Sequence, residues 1–446
     1  MNDHWSSRIG FILSSAGAAI GLGAIWKFPY MTGMNGGGAF FLLFIAFTLI
    51  IGLPLLVTEF IIGRGAQKEA VSAFKKLAPG SSWQVIGYWG IAGSFILLSF
   101  YSVVGGWVLI YSVMSLFGSV ISDNANYEQL FGAITGDPLI AISGHALFLI
   151  LAVIIVSFGI KAGIEKASKV MMPLLFVFFI ILVIRSVTFE GAAEGLKFFL
   201  QPDFSKMTAE GILYALGQSF FALAVGFSVM VTYSSYLGKD VSLPFSAASV
   251  SIMNVFVSLL AGLAIFPVVF SFGLEPTEGP GLLFMVLPAA FAQMPFGEVF
   301  LTLFLLLFLF AIFTSAFSML EIMTAAVTAR KNYSRTKVVW ASGLIVFIAG
   351  IPAALSSSAL ADFKIFGKTV FDASDFLVSN IMLPGGCLMM ALFIGIRMDQ
   401  SLMKQEFSYA NNLSSGAYQL WFQIMRWLVP VTIVIVFLNS VGIIQF

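Results

Sequence analysis

The run from Arg8 to Tyr30 is apolar and long enough to cross a bilayer, but its middle is poorly suited to a regular helix. Ser14-Ser15-Ala16-Gly17-Ala18-Ala19-Ile20-Gly21-Leu22-Gly23 has few side chains large enough to pack a backbone. Each Gly lowers helix stability by roughly 1 kcal/mol relative to Ala. Non-helical backbone at membrane depth is tolerated only where it is buried in protein or lines a cavity. A glycine-interrupted span is therefore a pointer to a transporter binding site. A second one runs from Gly217 to Tyr233. Glycines also serve close helix packing, but two breaks in matching places ask for more than packing.

Composition agrees with a membrane setting. The chain is 59% hydrophobic and 10% charged, with a mean hydropathy of +1.01, which marks a polytopic membrane protein. A net charge of +1 gives no case for nucleic acid. The single Cys387 excludes a disulfide framework and a thiolate metal cluster. His4 and His145 lie too far apart in sequence to suggest a ligand pair. The first apolar run lacks a basic leader and continues into Lys27-Phe28-Pro29, so no cleavable signal peptide is expected.

Eleven spans are predicted, over 8–30, 38–62, 83–118, 141–158, 167–188, 211–236, 244–273, 297–330, 337–357, 373–396 and 418–444. Between the seventh and eighth, Glu275-Pro276-Thr277-Glu278-Gly279-Pro280 opens a loop whose apolar part, 281–291, is too short to span. A helical hairpin near 275–295 is expected there. With the N-terminus in the cytoplasm, the inner loops collect fifteen Lys and Arg and the outer loops five, a clear positive-inside bias. The C-terminus then lies outside. Spans 1–5 and 6–10 have opposite orientations, and each set starts with a broken helix, the pattern of an inverted repeat. The expected division is 1–190 for the first repeat, 191–400 for the second and 401–446 for the last span.

The breaks carry the candidate chemistry. Backbone N–H groups around Gly21, Leu22 and Gly23 can receive an anion, aided by the dipole of the following half-helix. Carbonyls from Gly17 to Ile20 can coordinate a cation. The second break, Phe220 to Phe227, offers the same groups. Neither break contains Asp or Glu, so a substrate bringing its own carboxylate, an amino acid, fits better than an amine. Thr314 and Ser315 put adjacent hydroxyls in an apolar span. Such groups commonly bond their own helix carbonyls, but with the carbonyls of Gly17 and Ile20 they form a neutral oxygen set suited to a hard cation.

Ionisable residues within spans are functional hypotheses. Lys27 and Asp375 are placed to pair across an outer vestibule, or to be solvated separately. Glu59 and Glu321 are expected to cap or bridge helix ends. Trp83, Trp89 and Trp107 are expected in packing or aromatic belts. Tyr101 places mid-span a phenol that needs a partner, and a substrate carboxylate supplies one. Ala18, Ala24, Ala222 and Ala224 leave volume near the midplane, while Leu97, Val104, Phe227 and Met319 give apolar walls. A neutral hydrophobic amino acid, aromatic ones included, is the expected substrate.

Trp5-Ser-Ser-Arg8, Gly17-Ala-Ala-Ile-Gly-Leu-Gly23, Lys27-Phe-Pro29 and Asn35-Gly-Gly-Gly-Ala-Phe40 resemble the first-helix signature of the neurotransmitter:sodium symporter family. Pro54, Glu59 and Gly63-Arg64 continue it. Gly217-Gln-Ser-Phe-Phe221, Gly226-Phe227 and Thr232-Tyr-Ser-Ser-Tyr236 are similar to its sixth helix. Asn254 and Gly262 resemble its seventh, Thr314-Ser315 its eighth, Asp375-Phe376 its tenth, and Gly163 with Pro173 a Gly-x9-Pro motif of its fifth. The resemblance covers essentially the whole chain and fits the bacterial branch with eleven spans.

It implies an all-α membrane protein with a leucine-transporter-like 5+5 inverted repeat, working as a sodium-coupled amino-acid symporter by alternating access. Gly17, Ile20, Ala311, Thr314 and Ser315 would form the second sodium site; Ala19, Asn254 and Ala222 would belong to the first. Ala18, Gly21, Leu22, Gly23, Leu97, Tyr101, Phe221, Ala222, Ala224, Phe227, Ser315 and Met319 would bind substrate. Lys27, Asp375 and Phe221 would form the outer gate, Tyr236 and Trp5 the inner one. Three departures stand out. Ala24 and Ala222 replace side-chain ligands of the first sodium site, so that site is degenerate and the coupling is one or two sodium ions. Phe44 replaces the chloride-site Tyr, beside Gln218 and Ser258, so chloride is not expected. Asn2 and Asp3 put no arginine ahead of Trp5, and Ala329 stands where the family has Asp, so the inner gate is altered.

The alternatives are a sodium-independent exchanger on the same fold and a non-transporting amino-acid-sensing receptor. No nucleophile–base pair suggests an enzyme, and no ring of filter residues suggests a channel. The expected setting is the cell membrane, with the protein a monomer or weak dimer.

Overall fold

The computed structural model describes residues 4–121, 126–274, 281–330, 333–440 and 442–444. Glu275 to Pro280, Asn2 and Asp3 lie outside the described residues. The described chain is built of helices, with no strand. Helices apolar on nearly every side bury one face in protein and turn the other to lipid, and each satisfies its backbone groups internally.

We number the principal helices in chain order: α1 Arg8–Ala19, α2 Gly23–Met34, α3 Gly38–Ala66, α4 Ser82–Leu116, α5 Pro138–Ser157 and α6 Ile160–Ser186. There follow α7 Ala209–Ala222, α8 Val229–Ser234, α9 Leu243–Ser271, α10 Leu282–Ala292 and α11 Gly297–Thr328. The last four are α12 Arg335–Ala354, α13 Val370–Ile396, α14 Gln400–Ser408 and α15 Ser415–Asn439. The end of the bundle where α1 begins is called proximal, the other distal.

Nine helices among the described residues are long and apolar enough to cross a membrane, ten if α1 and α2 count as one span bent by 54°. The remaining predicted span, 211–236, is α7 and α8, of 14 and 6 residues, each too short alone. Its break is what hides it. Of the expected hairpin near 275–295, the described part is the single buried helix α10.

Both breaks have local causes. Ile20 leaves α1 with an extended backbone at ψ 92°, its N–H still bonded to the Ala16 carbonyl at 2.6 Å. Between α7 and α8 the chain turns left-handed three times, at Ala224 (φ 51°), Gly226 (φ 98°) and Ser228 (φ 56°). Gly226 must lack a side chain for a second reason: a Cβ there would lie 2.6 Å from the Leu383 carbonyl. The second break is thus pressed against α13.

The proximal end is fastened by a buried ion pair. Arg64 and Glu406 are each 1% exposed. Arg64 Nε donates to Glu406 Oε2 at 2.6 Å, Nη2 to the Glu406 carbonyl at 2.7 Å, and Nη1 to the Val241 carbonyl. One guanidinium thereby joins α3, α14 and the segment before α9. Removing one partner of a buried pair leaves an uncompensated charge, which costs about 3–5 kcal/mol. Glu406→Ala is expected to lose that much stability in thermal unfolding of the detergent-purified protein. The double variant Arg64→Leu/Glu406→Leu, which buries no charge, is expected to unfold at a higher temperature than Glu406→Ala.

Candidate functional site

A cavity with about 440 Å³ of atom-free space lies between the two breaks. Ala18, Ala19, Gly21, Leu22 and Gly23 line it from the first break, Leu97 and Tyr101 from α4, and Phe221, Ala224, Phe227 and Val229 from the second. Ser315, Ser318 and Met319 reach it from α11 and Leu383 from α13. Among the described residues its only ionisable side chain is the Tyr101 phenol, which accepts the Leu22 N–H at 3.3 Å. The missing side chain at Gly21 matters: a Cβ there would run into the Tyr101 and Ser315 hydroxyls. One at Gly23 would stand 2.7 Å from the Phe221 ring.

A second cavity, partly open to solvent, lies on the distal side and shares Leu22, Leu97 and Phe221 with the first. These three residues separate the two spaces. Lys27 and Asp375 line the distal one. Lys27 Nζ lies 3.6 Å from Asp375 Oδ2, donates to Ser379 Oγ at 3.1 Å, and sits 4.7 Å from the centre of the Phe221 ring. Ser379 in turn donates to Asp375 at 2.9 Å. The pair is 28% and 40% exposed, so its attraction is screened and small. The ammonium over the ring, a contact worth about 0.5–1 kcal/mol at exposed sites, ties the pair to Phe221.

Neutral oxygens collect beside the first break. Thr314 Oγ1 lies 2.9 Å from the Gly17 carbonyl and 3.0 Å from that of Ala311. Ser315 Oγ lies 3.1 Å from the Gly17 carbonyl and 3.2 Å from that of Ala18. Gly17 is required, since a Cβ would come 2.8 Å from Thr314 Cβ. Hydroxyl and carbonyl oxygens of this kind fit a hard cation. Ile20, buried, marks the break itself. On α9, Asn254 donates to the Ala222 carbonyl at 2.7 Å, while its Oδ1 is buried and has no hydrogen-bond partner among the described residues. An orphaned acceptor suits a second cation, but Ala19, Ala24 and Ala222 add no side-chain oxygen there. Ala222, expected at the substrate, does not line the cavity; it belongs to a buried cluster with Phe28, Phe44 and other phenylalanines.

Glu59 holds the second break from α3. Fully buried, it accepts the Gly226 N–H at 2.7 Å, the Met230 N–H at 3.1 Å and the Val231 N–H at 3.3 Å. It caps the first turn of α8, where the dipole favours a carboxylate. At the proximal end, Trp5 Nε1 donates to the Tyr233 carbonyl at 2.8 Å and Tyr236 Oη to Glu321 at 2.8 Å. Arg335 Nη1 also reaches Glu321, at 3.2 Å. Glu321 is thereby an acidic partner of both Tyr236 and Arg335 at this end. Glu165 accepts the Ser6 N–H at 2.8 Å and pairs with Lys169 at 2.6 Å.

Sequence reasoning missed Val229, Ser318 and Leu383 in the wall, and Arg335 and Glu165 at the proximal end. Ser318 was within reach, because it lies one turn after Ser315 on the same helix face. Leu383 has no local signal; only packing of α13 on the second break brings it in.

The sequence profile of the Sodium:neurotransmitter symporter family matches residues 2–128 and 141–446. The chain is 52% identical over 443 residues to the uncharacterized sodium-dependent transporter YhdH of Bacillus subtilis, covering 99% of this chain and 98% of that one. It is 37% identical to an uncharacterized sodium-dependent transporter of Haemophilus influenzae, covering 98% and 97%. Among solved structures, MhsT in complex with L-phenylalanine superposes with a TM-score of 0.92 at 40% identity, over 99% of this chain and 100% of that one. The chain belongs to the sodium:neurotransmitter symporter family, and its fold is the leucine-transporter-like fold of that neighbour.

Glu59→Ala is expected to leave three buried amides without an acceptor, each costing about 1–3 kcal/mol. Hydrogen–deuterium exchange at Gly226, Met230 and Val231 should accelerate at least about tenfold, with Glu59→Gln between the two.

Proposed function

We propose that this protein is a sodium-coupled symporter of a neutral hydrophobic amino acid. The observation that carries the reading is the cavity between the two breaks: apolar walls, one phenol, a lining that includes Gly21 to Gly23, and no carboxylate in it among the described residues. Such a space suits a zwitterion that supplies its own carboxylate, with Tyr101 and the first break receiving it. The L-phenylalanine bound to MhsT supports the same substrate class. Gly17, Ala311, Thr314, Ser315 and Ile20 are assigned to a sodium ion. Asn254, with Ala19 and the Ala222 carbonyl, is assigned to a degenerate second ion site, so that one ion carries most of the coupling. Gln218 already donates to the Gly23 carbonyl at 2.6 Å, and Phe44 lacks a hydroxyl, so chloride has no role.

In this reading the chain has eleven spans, α7 and α8 together being the sixth. Residues 1–190 and 191–400 are inverted repeats, and 401–446 follow them. The proximal end faces the cytoplasm and the C-terminus the outside of the cell membrane. Lys27, Asp375 and Phe221 gate the outer path; Trp5 and Tyr236 gate the inner one. No enzymatic step is needed. An exchanger that ignores sodium is the competing reading, favoured by the two alanines at Ala24 and Ala222.

Binding of tritiated L-phenylalanine and L-leucine by the purified protein, titrated with sodium against potassium, decides between them. Steep sodium dependence is expected. Thr314→Val is expected to weaken the apparent sodium affinity at least about tenfold, since lesser changes to a metal's outer shell cost that much. Saturable binding that is equal in potassium and sodium would sink the symport reading and leave the exchanger.

A further inference from the structure

Leu383 enters the cavity wall from a helix to which neither break belongs. It directly follows a π-helical turn, Leu377–Met382, and precedes Pro384. Two contacts fix its backbone. The Met382 carbonyl accepts the Trp89 indole N–H at 2.7 Å. A Cβ on Gly385 would stand 3.1 Å from the Trp89 ring, and one on Gly386 would overlap the Gly226 carbonyl. The helix therefore lies in backbone contact with the second break on one side and against an indole on the other. It has no room to move towards either neighbour, and Leu383 is only 2% exposed.

Met319 and Phe227, two other bulky wall residues, differ. Met319 is unbranched and adapts readily to what it packs against. Phe227 is seated on Gly93, where a Cβ would come 2.5 Å from its ring. Leu383 combines a branched side chain with a backbone that cannot retreat. In a close-packed interior, a change of volume at such a position is taken up where space exists, and here the space is the cavity.

We propose that Leu383 sets the upper size limit of the side chain this transporter binds, with Trp89 positioning it. The inference rests on the amino-acid reading of the cavity. It assigns part of the size selectivity to the tenth span, outside the broken helices that hold the substrate's polar groups.

The test is competition between L-tryptophan and L-leucine for the purified protein in saturating sodium, read as the ratio of their affinities. Leu383→Ala is expected to shift the ratio towards tryptophan by about tenfold or more, the scale set by a few methylenes in an apolar pocket. Leu383→Phe is expected to shift it towards leucine. Should the alanine variant fail to fold, Leu383→Val gives the same direction with a smaller shift. A ratio unchanged in these variants, with wild-type binding intact, overturns the proposal alone. A wild type that binds neither ligand overturns the amino-acid reading, and this inference with it.

Discussion

An amide or carbonyl left unpaired in hydrocarbon costs several kcal/mol, and two broken helices create many of them at one depth. The partners come from the rest of the bundle. Tyr101 on α4 takes the Leu22 N–H, Gln218 on α7 donates to the Gly23 carbonyl, Asn254 on α9 to the Ala222 carbonyl, and Glu59 on α3 takes three N–H groups of the second break. Four helices are thereby held to the same small region. The need to satisfy the breaks organises the bundle, and the cavity is what remains between the satisfied segments.

The two ends of the molecule are built on different electrostatics. The proximal end uses charges withdrawn from solvent, with Arg64 and Glu406 buried and Glu321 beneath Arg335. Such pairs are geometrically demanding and hard to break one partner at a time. The distal end uses a partly exposed pair and one aromatic ring, contacts that exchange readily with water and salt.

Much of this was legible from the residues. The spans follow from hydropathy, and the first break follows from its glycines, because glycine acts locally. Lys27 and Asp375 declare themselves as charges in apolar runs, and the structure puts them 3.6 Å apart. Ala222 shows where local reading stops: its carbonyl serves Asn254 while the residue belongs to a buried phenylalanine cluster and does not line the cavity, and only the helix rotation decides that. Glu165 and Ser6 are 159 residues apart in sequence, and Leu383 reaches the cavity wall only because α13 packs on the second break. Nothing in the local sequence encodes such placements.

The second break bends through left-handed backbone at Ala224 and Ser228 as well as at Gly226. Residues with a Cβ resist that conformation at a cost of order 1–2 kcal/mol each. The bend is thus imposed on the segment by Glu59 and by the close seat against α13, and the chain does not prefer it. Such a segment behaves as a loaded spring. The strain is held at Ala224 and Ser228, the two left-handed residues of the break that carry a Cβ, so loosening of the holds from α3 or α13 favours a more regular helix there.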